Sequence, residues 1–94
     1  MDFEWDTDKA SRNFRKHNVS FAEVASVFGD LLSSTFPDPD HSVEEDRFIT
    51  IGSSERGRVL VVSYTDRADR IRIISARPAM RHERRAYEEG EEKR

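Results

Sequence analysis

Apolar residues recur along this chain in two rhythms. Between residues 10 and 28 the period is helical: Ala10 and Phe14 stand four apart, and Phe21, Val24, Ala25 and Phe28 make a second stripe. Asp6 precedes the first stripe as an N-cap, with Asp8 in the first turn. Asn18 follows His17 as a left-handed stop. Ser20 and Glu23 fit an S-x-x-E capping box, and Val19 with Val24 fits a hydrophobic staple. Two short helices joined at Asn18-Val19, the second ended by Gly29, are therefore predicted.

Beyond Gly29 the pattern shortens to that of strands, at 31–36, 47–52, 59–62 and 70–76. Residues 37–42 hold two prolines and two aspartates and read as a loop; 53–57 and 66–69 read as turns. The unbroken run Val59-Leu60-Val61-Val62 calls for cover on both faces of its strand. In the last strand, alternation puts Ile71, Ile73 and Ser75 on one face and Arg72, Ile74 and Ala76 on the other. Pro78 suits the first turn of a final helix over 79–89, stopped by Gly90, with 91–94 frayed. Its apolar residues are few (Ala79, Met80, Ala86 and Tyr87), so much of it should be exposed or covered by a partner. Phe3-Glu4-Trp5 fits either a very short strand or an aromatic clasp. The expected fold class is α+β: an N-terminal helical hairpin, a three- to four-stranded antiparallel sheet and a C-terminal helix.

Composition narrows the class. A chain of 94 residues suits one domain. Six Phe, one Trp and two Tyr supply core anchors despite 37% charged residues, which argues against overall disorder. The absence of cysteine excludes disulfides and thiolate metal sites and fits a reducing compartment. The first twenty residues are charged throughout, and no apolar run approaches the ~20 residues that span a bilayer. A soluble cytoplasmic protein without a signal peptide is expected.

The net charge of −3 hides an asymmetry. Residues 1–55 carry net −7 and residues 56–86 net +6. All nine bases of that second block are arginines: Arg56, Arg58, Arg67, Arg70, Arg72, Arg77, Arg81, Arg84 and Arg85. Arginine presents a permanently charged fork that grips phosphate bidentately. The block reads as a phosphate-binding surface, as a solvated basic face, or as arginines paired with the acidic first half.

Several stretches together resemble the BrnT toxin family. They are Phe3-Glu4-Trp5-Asp6, Lys16-His17-Asn18-Val19-Ser20-Phe21, Glu45-Asp46-Arg47 followed by Ile51-Gly52, Arg58-Val59-Leu60-Val61-Val62, Ile71-Arg72-Ile73-Ile74-Ser75-Ala76-Arg77, and Glu83-Arg84-Arg85 with Tyr87. The chain departs from the family pattern at Asn18 and Ala68, where glycine is usual, at Leu31, and at Pro78 and Met80. The resemblance implies a RelE-like fold and a ribonuclease that depresses translation. It also implies a ribbon-helix-helix antitoxin of the BrnA type as partner in a hetero-oligomer, with operator DNA bound only through that antitoxin.

RNA carries its own nucleophile, the 2′-hydroxyl beside each phosphodiester. A protein that cleaves it needs charge stabilisation, a base and an acid, but no metal or other cofactor. Arg77 and Arg72 are the candidates for charge stabilisation; His17, Glu83 and Tyr87 are the candidate acid–base groups. Arg70, Arg81, Arg84 and Lys16 are candidates for gripping flanking phosphates. Each has a plainer alternative. Arg77 pairs with a carboxylate of the first half; Arg72 snorkels at the sheet edge; His17 caps a helix; Glu83 forms an intrahelical ion pair; Tyr87 closes the core. His17, His41 and His82 lie far apart, and Asp38-Pro39-Asp40-His41 lacks a ligand spacing, so no metal site is expected. The active face is expected where guanidinium groups of the last strand and the final helix converge on one cleft. The alternative function is a non-catalytic RNA- or partner-binding module that acts as a co-repressor.

Overall fold

The computed structural model describes residues 1–38 and 46–92, apart from the side chains of 91 and 92. Most of the loop expected over 37–42, with His41, and the last two residues of the expected frayed end lie outside the described residues. The element order is β1 (Asp2–Glu4), α1 (Thr7–His17), α2 (Phe21–Val27), β2 (Ser34–Pro37), β3 (Arg47–Ser53), β4 (Val59–Arg67), β5 (Arg70–Pro78) and α3 (Arg81–Glu92).

Local chemistry sets the helical hairpin. The Asp6 carboxylate accepts from the backbone N–H of Asp8 and Lys9, at 2.9 and 3.0 Å. Asn18 closes α1 at φ 57°, where its short polar side chain is tolerated. The Ser20 hydroxyl accepts from the Glu23 N–H at 3.1 Å. The box is only half formed, because the Glu23 side chain turns away to Arg58 of the neighbouring hairpin. Val19 and Val24 are fully buried, as the staple requires.

The sheet differs from expectation. It has five strands in the order β1-β5-β4-β3-β2, and it is mixed: β1 runs parallel to β5 while the other pairs are antiparallel. Phe3-Glu4 thus joins a strand, and Phe3 stacks in a tilted contact on Phe28 at 5.3 Å between ring centres. Such a short edge is legible only once its partner strand is known. One helix-facing layer of side chains makes the core: Leu60, Val62 and Tyr64 of β4, Ile71, Ile73 and Ala76 of β5, and Val19, Phe21, Val24 and Val27 from the hairpin. Val61 on the opposite face is also buried, so the apolar run is covered on both sides as expected. Gly52 lets the chain after α2 lie against β3, since a Cβ there would come within 2.9 Å of the Ser33 Cβ.

A bulge in β5 overturns the simple alternation. Ser63 pairs with Ser75 and Tyr64 with Ile73, which leaves Ile74 as the extra residue. Past it the faces exchange, so Ala76 is buried and Ser75 exposed. Arg72, opposite Thr65, and Arg77, opposite Val61, consequently share the face away from the hairpin. Pro78 belongs to β5, paired with Leu60, rather than to a helix. Its missing N–H is tolerated at the end of a ladder. The final helix starts at Arg81 and runs through Gly90 to Glu92.

Candidate active site

Helix α3 is held by polar contacts in place of an apolar stripe. Glu83, Tyr87 and Gly90 are its half-buried positions, spaced as one helical face, and the rest of its described side chains are exposed. Glu83 receives both ends of the Arg77 fork: Nη1 donates to Oε1 at 2.7 Å and Nη2 to Oε2 at 2.9 Å. Glu83 Oε1 also accepts the Met80 N–H at 2.8 Å, which caps the helix start. The Arg77 guanidinium, seconded by that N–H, holds the Glu83 carboxyl down from 4.5 to about 2. Glu83 raises Arg77 in return. One turn further on, the Tyr87 hydroxyl donates to Asp30 Oδ2 at 2.6 Å. Asp30 also accepts the Leu32 and Ser53 N–H groups, so it anchors the helix to the α2–β2 connection and to β3.

The plainer readings of Arg77 and Glu83 named the wrong partners. Each is paired, but with the other, across a strand end and a helix start six residues apart. Arg72 lies on the same sheet face. The register places it four residues of β4 from Arg77, about 13 Å along the strand. Its Nη1 is 3.7 Å from Glu4 Oε2, a loose pair with both side chains about 30% exposed. Arg72 also lies near Asp6, whose carboxyl is lowered mainly by the Lys9 N–H and to a lesser degree by Lys9 and Arg72. Between the two arginines, Ser63, Ser75 and Thr65 occupy that face. The Thr65 hydroxyl is buried without a hydrogen-bond partner.

The remaining candidates do not meet at this point. His17 and Lys16 lie across the β5 edge in a groove of about 300 Å³ between α1 and β5, which Lys9 and Arg12 also line. Lys9, Arg12 and Lys16 form a basic stripe at helical spacing, a signal open to sequence reading; only the fold shows what it faces. Arg70 sits at the far end of β5 beside Met1, Asp2 and Trp5. Arg81 lines a shallow hollow on the outer face of α3 with His82, Arg85 and Glu89, and Arg84 is exposed on the same helix. The expected single cleft is thus resolved into an Arg77–Glu83 corner, a sheet face carrying Arg72, and separate basic surfaces on α1 and α3. Among the described residues, no three His, Asp or Glu side chains cluster as a metal would require.

The reading that arginines of the basic block pair with the acidic first half holds at Arg58, although the sequence did not name its partner. Glu23, 3% exposed, accepts from Arg58 through both carboxylate oxygens and from the Ser54 hydroxyl at 2.7 Å. Arg58 first, then Ser54, hold its carboxyl below the ordinary value against burial. Arg58 also donates to the Asn18 carbonyl, tying the end of α1 to the start of β4. This arginine of the basic block is a structural clamp.

A mixed five-stranded sheet with a helical hairpin on one face and an arginine–carboxylate corner at the final helix defines a small α+β protein with a basic, phosphate-compatible surface. Residues 5–83 match the family described as ribonuclease toxin, BrnT, of type II toxin-antitoxin systems. The chain belongs to that family. It is also similar in structure to the Brucella abortus ribonuclease toxin BrnT, solved at 1.1 Å, with a TM-score of 0.68 and 25% sequence identity over 86% of this chain and 99% of that one. No curated protein matches the sequence significantly.

Proposed function

We propose that this chain cleaves RNA without a metal ion, at the corner formed by Arg77 and Glu83, and that a ribbon-helix-helix antitoxin of the BrnA type neutralises it. The observation that carries the reading is the bidentate Arg77–Glu83 pair between the end of β5 and the start of α3, with Arg77 35% exposed. A phosphodiester is a better-matched ligand for the Arg77 fork than water, and it competes with Glu83 for the same donors. When the phosphate takes the fork, Glu83 loses the contact that suppresses its basicity. The freed carboxylate then accepts the 2′-hydroxyl proton as that oxygen attacks phosphorus. The P–O5′ bond breaks, the leaving 5′-oxygen takes up a proton, and a cyclic phosphate remains. Arg77 neutralises the charge that develops on the phosphoryl oxygens.

In this reading Arg72 holds the neighbouring phosphate, and Arg81 and Arg84 add to the field along α3. His17 stands in the separate groove between α1 and β5, beside the flanking strand, so the leaving oxygen takes its proton from water. Tyr87, tied to Asp30, positions α3 and so Glu83. The antitoxin, like that of other type II systems, covers the toxin in a hetero-oligomer and links it to operator DNA. The RelE-like kinship belongs to the same reading, as does residence in the cytoplasm.

The test is cleavage of a labelled RNA by the purified chain in EDTA. Cleavage that persists in EDTA and falls by about 100-fold or more in Arg77→Ala and Glu83→Gln is expected, the scale set by loss of charge stabilisation or of a general base. RNA that is retarded but uncut by the wild-type chain overturns the catalytic reading in favour of a binding module acting as co-repressor.

A further inference from the structure

We propose that the groove between α1 and β5 holds the sugar–phosphate backbone of the single-stranded RNA flanking the bond cleaved at Arg77 and Glu83. The proposal rests on that cleavage reading for the identity of the ligand; the groove itself rests on separate observations.

The first is how the groove arises. β1 pairs with β5 only over residues 70–72, so the outer edge of β5 from Ile73 onward has no strand beside it. Helix α1 lies along that edge instead. Its buried Asn13 accepts the Ala76 N–H at 3.1 Å and donates to the Val19 carbonyl at 3.0 Å, which fixes the helix at a set height above the strand. The bulged Ile74 forms part of the lining between them. A cavity of about 300 Å³ remains, walled on the helix side by Lys9, Arg12, Lys16 and His17.

The second is charge. Lys9, Arg12 and Lys16 are exposed, in a chain whose total charge is −3; Lys9 faces the Asp6 carboxylate, and Arg12 and Lys16 form no ion pair among the described residues. No carboxylate lines the groove. From Lys9 to Lys16 the helix rises about 10 Å, enough for neighbouring phosphates of one strand. The lining has no Phe, Tyr or Trp ring on which a base would stack, and its cations suit phosphates, so the contact is chiefly to backbone.

The third is continuity. Ser75 lines the groove and, because of the bulge, also shares the sheet face of Arg72 and Arg77. A single strand that crosses the β5 edge at Ser75 reaches both surfaces. An acidic peptide would satisfy the cations alone, but it has no need of that crossing.

The experiment is fluorescence anisotropy with 2′-O-methyl RNA, which cannot be cleaved, so binding is read whether or not the chain is a nuclease. Two lengths are used, about four and about twelve nucleotides. The long probe should bind Arg12→Ser/Lys16→Ser at least tenfold more weakly than wild type. Its dependence on log salt should become shallower by about 1.4, at about 0.7 per lost single-strand phosphate contact. The short probe should bind both alike. Arg15→Ser, an equal loss of charge on the other flank of α1, should change long-probe binding far less than Arg12→Ser does. Thermal unfolding checks that these exposed substitutions leave the fold intact. Unchanged long-probe binding in the double variant overturns the proposal, as does an equal loss in Arg15→Ser. So does a double variant that loses only an acidic peptide ligand while keeping RNA.

Discussion

Replacing Glu83 with glutamine keeps the shape of the side chain and removes its charge. In the folded chain this carboxyl is held at about 2 instead of 4.5. A depressed folded value contributes stability that is complete above the unfolded value and is lost as pH falls through the folded one. At about 1.36 kcal/mol per pH unit, the gap corresponds to about 3 kcal/mol at most. Arg77 is 35% exposed, and solvent screening reduces the net to about 1–2 kcal/mol. For a chain of this size that is a fall in Tm of roughly 4–16 °C at pH 7. The assay is thermal unfolding followed by circular dichroism, wild type against Glu83→Gln, at steps from pH 7 to about pH 2.5. The difference should hold level down to about pH 5 and shrink to about two-fifths of its full value by pH 3. A difference that stays constant across that range refutes the charged pair as its source. Equal Tm values at pH 7 refute the pair as a stabilising contact.

Three further substitutions probe the frame around the site. Arg58→Ala leaves the Glu23 carboxylate, 3% exposed, with only the looser Arg56 guanidinium at 3.9 Å; a loss of about 3 kcal/mol by urea unfolding is expected, a large part of the stability of so small a domain. Gly52→Ala forces a methyl group against Ser33 and Val27 and should cost about 1–3 kcal/mol in the same assay, with a neutral result showing that the α2–β2 connection yields. Tyr87→Phe removes the hydroxyl bond to Asp30, worth about 1.5–3 kcal/mol for a charged acceptor. Faster amide exchange confined to α3 is the expected readout, and unchanged exchange there counts against the tether.

What the chain determines by itself is what depends on neighbours a few residues away. Asp6, Asn18 and Ser20 cap the helices because each bonds backbone within four positions of itself, and the four longer strands announce themselves by apolar and β-branched runs. Family membership is legible for the same reason, being carried by short ordered stretches spread over most of the chain. Other features are decided only by pairing across the fold. β1 becomes a strand because β5 offers an edge. Ile74 bulges because β4 sets the register, and that one extra residue turns Ala76 inward and Arg77 to the face it shares with Arg72. Glu23 leaves its own helix for Arg58, thirty-five residues on. The Arg77–Glu83 pair is close in sequence, yet it forms because Pro78 extends the strand and so sets where the helix begins. A hydrogen-bonding group has several feasible partners along the sequence, and only the packed chain, by excluding water from some of them, selects one.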